Sequence, residues 1–253
     1  MIPLIVLFAI ICFAVSFLSG DGKKKIIEPV IVDITLLEEN VLFYSRLNVE
    51  EKKQFEKDVK DFLSDVKITG IDTNVEELDR ILIAAAAVIP IFYFKRWKYF
   101  NLQEVLLYSD AINMNFESAG DTDRNILGMV GAGVYEGKMF LSKYSLRLGF
   151  ENKTDKSNTA IHEFVHLVDK SDGDTDGIPA VLLDKKFVLP WLSLIKEQMQ
   201  QIAKQKSDIN PYATMNDAEF LSVTAEYFFE RPDLLEEKHP ELYSMLKQMF
   251  QKI

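Results

Sequence analysis

The stretch T-A-I-H-E-F-V-H-L-V-D at residues 159–169 holds the spacing in this chain that could do chemistry. On a helix, residues four apart stand about 40° from one another, so His162 and His166 project from one face. Two imidazoles so placed can share one divalent metal, and zinc accepts such nitrogens at about 2.0–2.1 Å. Glu163 is turned by about 100°, out of ligand position but able to reach a water beside the metal. Zinc lowers the pKa of such a water toward about 7, where a carboxylate can take its proton. This division of labour gives the order H-E-x-x-H a chemical purpose.

The rest of the composition narrows what else could complete the site. The chain has three histidines, of which His239 lies outside the motif in the charged stretch E-E-K-H-P-E-L-Y, where a surface role is expected. Cys12 is the only cysteine and lies within the first apolar run, so Cys-ligated zinc and a disulfide scaffold are excluded. A catalytic zinc site needs a third protein ligand and an open position, which points to a carboxylate on a later helix. Glu219 and Glu226 are the candidates. They are seven residues apart in an otherwise apolar stretch and share one helix face, so composition leaves both open. Asp169, three residues past His166, could accept the outer ring N–H of a ligand histidine, or be an ordinary helix-end residue.

Positioning these groups requires a core. The 253 residues are 48% hydrophobic, enough for one large domain or two small ones. The net charge of −10, with Lys23-Lys24-Lys25 as the one basic run, sets nucleic acid aside as a partner. Ile2 to Leu18 is an uninterrupted apolar run that would cross most of a hydrocarbon core of about 30 Å. The small-x-small pattern Ala14-Val15-Ser16 lies inside this run, which favours a membrane anchor over a cleaved signal. The three lysines after it place the rest of the chain on the cytoplasmic side, a secreted or periplasmic domain being the alternative.

Residues 1–19 are thus expected to be a transmembrane anchor and 20–48 a juxtamembrane connection, with Val30-Ile31-Val32 a short strand. Residues 49–253 form the catalytic domain. Phe55, Val59, Phe62 and Val66 recur at helical spacing within 50–66. Thr73-Asn74-Val75-Glu76 matches a capping box for a second helix, which stops near Pro90. Its apolar run from Ile81 to Phe94 is too short to span a membrane and contains that proline, so it reads as a core helix.

Glu104 to Tyr108 and Lys138 to Leu141 are the strand candidates. Loops are expected at 120–125 and 128–133. Helices are expected at 158–170, about 185–205, 216–229 and about 240–250, with Asn158 or Thr159 capping the first. A helical flank, a small mixed sheet and a helical C-terminal half describe a mainly helical α+β domain. Asp172 to Gly177 mimics the start of a calcium loop, but position twelve is Leu183, so a turn is the better reading.

Three motifs in order, H-E-F-V-H-L-V-D, then G-D-x-D-G-I-P, then P-Y-A-T-M-N-D-A-E-F followed by E-Y-F-F, resemble the Mlc titration factor A family of bacterial zinc peptidases. The C-terminal half also resembles the catalytic domain of anthrax lethal factor. The resemblance is dense over about 159–245. It implies a zincin-like metallopeptidase holding one zinc, with Glu219 as third ligand and Tyr212 donating to the developing oxyanion. Glu226 is then outside the ligand set, orienting a histidine or serving structure alone. The resemblance further implies a strand that pairs with an extended peptide, at Met139 to Ser142 or Val105 to Tyr108. It also implies aminopeptidase-like action on small peptides and binding of a glucose-responsive transcriptional repressor. The membrane anchor departs from the soluble enterobacterial members.

Overall fold

A computed structural model describes residues 31–94, 97–110, 127–152 and 154–251. Residues 31–33 are irregular where a strand was expected. Two short helices follow, α1 (Ile34–Asn40) and α2 (Leu42–Ser45). They are not a bare connection. Leu37, Val41 and Tyr44 are buried, Tyr44 lies against Phe55, and Phe43 lies against Phe229 near the other end of the chain.

Helix α3 (Val49–Asp65) starts where its cap chemistry dictates. The Asn48 side chain accepts from Glu50 and Glu51 N–H, and the Glu51 carboxylate accepts in return from Asn48 N–H. Its apolar face buries Phe55, Val59, Phe62 and Leu63. Helix α4 (Glu77–Val88) begins three residues later than the Thr73 box would have it. Strand β1 (Lys67–Ile71) precedes it, and the chain spends Asp72 to Val75 on a turn with Asp72 left-handed at φ 53°. Glu76 and Asp79 then form the capping box. From Ile81 to Val88 every residue of α4 is buried, which is the pattern of a core helix. Asp79 is fully buried and holds Lys143 at 3.0 Å and Arg147 at 2.8 Å, tying α4 to α5 (Lys143–Glu151).

The sheet has the order β1-β2-β4-β3, with β2 at Glu104–Tyr108, β3 at Gly128–Val130 and β4 at Lys138–Ser142. β1, β2 and β4 are parallel, and β3 runs antiparallel to β4. Both strands proposed as the peptide-pairing edge are therefore interior. Among the described residues the edge beside the motif helix is β3, in a segment expected to be loop. Its backbone partner lies across the sheet in β4, which local pattern does not reveal.

The C-terminal half contains α6 (Thr159–Asp169), α7 (Val188–Ala203), α8 (Asp217–Glu230), α9 (Pro232–Lys238) and α10 (Pro240–Gln251). Helix α8 is buried from Phe220 through Phe229 and packs along α6. Phe228 and Phe229 lie against Phe250 of α10. Among the described residues no helix is long and apolar enough to cross a membrane. Ile2 to Leu18 and the expected loop at 120–125 lie outside the described residues.

His239 is not a surface residue. Its side chain is 10% exposed and its Nε2 lies 2.8 Å from Asp208, which also accepts from Lys156, Lys238 and the Tyr227 hydroxyl. Burial alone would raise the Asp208 carboxyl, but these four partners outweigh it and hold the group well below the usual range. The depressed value belongs to the folded state. Its stabilisation is therefore complete above the unfolded value of about 3.9 and is lost as pH falls below it. Asp208→Asn should cost about 1–3 kcal/mol near pH 7, with the gap closing as pH drops below about 4. Denaturant unfolding across pH measures this, and a gap independent of pH would refute it.

Candidate metal centre

Helix α6 begins at Asn158, whose side chain accepts from Ile161 N–H, as one of the two expected caps. One turn on, His162 and His166 face α8, with ring centroids 4.7 Å apart. The Glu219 carboxylate enters from the first turn of α8, where the Asn216 side chain accepts from Glu219 N–H and fixes the helix start. His162 Nε2 lies 3.0 Å from Glu219 Oε2 and 3.1 Å from His166 Nε2, and the third edge of this triangle is 3.5 Å.

Glu226 lies two turns further along α8 and meets the other side of the same ring. Its Oε1 is 2.7 Å from His162 Nδ1, and its Oε2 accepts from Asn158 N–H at 2.6 Å. An ionised carboxylate accepts, so Nδ1 carries a hydrogen and Nε2 is the ring nitrogen turned toward the triangle. Glu219 belongs to the converging group, and Glu226 orients His162 from behind.

The triangle has the dimensions of a metal site. The three donor atoms lie within 4.8 Å of one another. A tetrahedral ion with bonds of about 2.0–2.1 Å needs donors about 3.3 Å apart, which the edges of 3.0, 3.1 and 3.5 Å bracket. Three lone pairs brought this close repel unless something positive lies between them. Charge agrees with geometry. Burial would lower the His162 pKa, but hydrogen bonds to Glu219 and Glu226 push it up to about 10. Burial would raise Glu219, but the two histidines bring it down to about 2. A metal ion bound here would displace a proton from this group, so the two would compete.

Glu163 is buried beside this group, and burial raises its carboxyl. Strand β3 confines it. A Cβ on Gly128 would stand 2.7 Å from Glu163 Cγ and 2.9 Å from Thr159 Cγ2, so any larger residue would push these side chains aside. Tyr212 lies in the 3-10 turn Pro211–Thr214, 48% exposed, its ring 6.2 Å from that of His162. Asp169, at the end of α6, bonds main chain through one of its oxygens. Its Oδ2 accepts from Gly177 N–H at 2.8 Å, while its Oδ1 and His166 Nδ1 are both buried without a hydrogen bond. Two aspartates of the calcium-like loop bond its own backbone: Asp172 accepts from Asp174 and Ala180 N–H, and Asp176 from Ile178 N–H. Gly128 is the site residue that sequence reasoning missed, since its signal is a close approach between distant segments.

Residues 27–251 match the family described as glucose-regulated metallo-peptidase M90. The chain belongs to this family. Among relatives, the uncharacterized protein slr2042 of Synechocystis is 25% identical over 225 residues, 85% of this chain and 82% of its own. Mlc titration factor A of Escherichia coli O127:H6 is 30% identical over 198 residues, 74% and 72% of the two chains. The protein of the same name from Pectobacterium atrosepticum is 30% identical over 103 residues, 38% of each. The M90 chain is mostly helical with a small mixed sheet, and His162, His166 and Glu219 form a group able to hold a metal.

Removing the carboxylate behind His162 should weaken metal binding without removing a ligand. We expect Glu226→Ala to cost about 10- to 100-fold in affinity, read by competition with a chelator. Unchanged affinity would limit Glu226 to a structural role.

Proposed function

We propose that this M90 chain is a single-zinc peptidase of zincin-like arrangement. The observation that carries the reading is the convergence of His162, His166 and Glu219 donors beside a buried glutamate. Two histidines and a glutamate are a donor set that suits catalytic zinc and leaves a position open. When bound, zinc supplies Lewis acidity, polarising a scissile carbonyl and acidifying water.

The chain's own residues do the rest. Glu163 takes a proton from the attacking water and returns it to the leaving amine, and the burial that raises its pKa makes it the stronger base. Tyr212 donates its hydroxyl hydrogen to the oxyanion as the carbonyl becomes tetrahedral. Glu226 keeps Nδ1 of His162 protonated, so that Nε2 stays available as a donor. Strand β3 offers its open edge to an extended substrate, which would lie beside Glu163. Aminopeptidase-like trimming of small peptides is the form of the activity that the family resemblance favours.

The location is also a proposal. Ile2 to Leu18 anchors the chain in the membrane, and Lys23-Lys24-Lys25 keeps the M90 domain on the cytoplasmic face. A reporter fused to the C-terminus and active only outside the cytoplasm would reverse this. A regulatory role has separate support in the relatives named Mlc titration factor A. On that reading the chain holds a repressor-like protein partner. A captured partner recovered intact would favour binding, and one cut only by active protein would favour turnover.

The deciding measurement is metal content and peptide hydrolysis in the full-length chain and two variants. The parent should hold about one zinc, and Glu219→Ala should lose it. Glu163→Gln should keep zinc and lose about 100- to 10,000-fold in rate. Hydrolysis retained by Glu163→Gln would remove Glu163 from its role, and a parent without zinc would overturn the peptidase reading.

A further inference from the structure

The three metal ligands come from two helices, and their relative height must be set by something outside the ligand set. Gly177, in the turn after α6, touches every element concerned. Its N–H donates to Asp169 Oδ2, on the last residue of α6, at 2.8 Å. Its carbonyl accepts from Trp191 Nε1 of α7 at 2.7 Å. Its Cα faces the start of α8, so that a Cβ there would stand 2.4 Å from the Asp217 carbonyl oxygen and 2.9 Å from Ala218 N. Trp191 closes the figure from the far side. Its indole is fully buried and packs on Phe220 at 5.7 Å between centroids, next to Glu219 in sequence.

We propose that Gly177, held by Asp169 and Trp191, is the positioning residue that sets Glu219 against His162 and His166. Two features of the site demand glycine. The backbone there has φ 75°, which side chains disfavour, and the obstacle facing it is main chain, which cannot swing aside as a side-chain tip would. A side chain at 177 would be accommodated by moving the first turn of α8 outward, and Glu219 lies in that turn. Glu226 lies about 10 Å further along the helix and would keep its hold on His162 Nδ1. The geometry stands without a metal, whereas its consequence for zinc rests on the peptidase reading.

The test uses the full-length chain as Gly177→Ala and Asp169→Asn, read first metal-free by nitrogen NMR of the imidazoles. Gly177→Ala should shift the Nε2 signals of both His162 and His166 and leave His162 Nδ1 in place. Its zinc affinity, by chelator competition, should fall about tenfold or more. Asp169→Asn keeps a side-chain carbonyl for the Gly177 N–H and should stay close to the parent in both readouts. Unmoved Nε2 signals in a folded Gly177→Ala would overturn the proposal. If that variant does not fold, Trp191→Phe, which removes only the N–H donor from a packed ring, takes its place under the same criterion. A parent that binds no zinc while its ring signals respond as described would sink the peptidase reading and leave the clamp standing.

Discussion

The carboxylate of Glu226, buried in the middle of an apolar helix, is the group on which the rest of the arrangement depends. One oxygen holds Nδ1 of His162 and the other accepts the N–H of Asn158, the cap of the motif helix. A single side chain therefore fixes where α6 begins, how its first histidine is turned and which ring nitrogen is free to bind. Burying such a charge costs several kcal/mol unless it is met by donors, and these two meet it. Asn158 carries the network one step further by donating from its side chain to Glu230 at 3.0 Å, a carboxyl that burial pushes up to about 7.

Around the two imidazoles stand Glu163, Glu219 and Glu226, with Glu230 behind them. The carboxylates outnumber the bases in a region from which water is largely excluded. Positive charge at its centre, a proton on His162 or a metal ion, offsets the repulsion among them. Proton and metal ion therefore compete for one position. The apolar body bears the cost of holding the cluster together. Phe220, Leu221, Val223, Phe228 and Phe229 of α8, and Phe164, Val165 and Leu167 of α6, are buried on every side of the charged strip. Each contributes about 1.5–3 kcal/mol of burial that the charged groups do not.

What the sequence disclosed follows from the range of the interaction concerned. His162, Glu163 and His166 were readable because helical periodicity is local, and so were the interior strands Glu104–Tyr108 and Lys138–Ser142. Glu219 and Glu226 were not separable by composition, since both occupy one face of one helix, and only the ring of His162 between them tells them apart. Asp169 lies at the end of α6 as expected, and its bond to the backbone of Gly177 could not be read from local spacing. Strand β3, with three residues, owes its existence to β4. Gly128 and Gly177 owe theirs to main chain and side chains distant in sequence. The helices of 34–45 were hidden because they are packed by other elements, Phe55 on the next long helix and Phe229 near the other end of the chain.

The position of β3 shows how fold and chemistry constrain each other. A strand at the edge of a parallel sheet could run either way. This one reverses, and its reversal is what brings Gly128 against the motif helix at Glu163 and Thr159. A longer strand would continue past the helix and present more unpaired backbone, which edge strands ordinarily avoid. Three residues are enough to confine the glutamate and short enough to leave little exposed. Gly131 then ends the strand, in a turn so tight that a Cβ would stand 2.1 Å from the Tyr135 carbonyl oxygen. The edge that would have to receive a substrate is thus bounded by glycine at both ends. At one end glycine makes room for Glu163, and at the other it turns the chain back into the sheet.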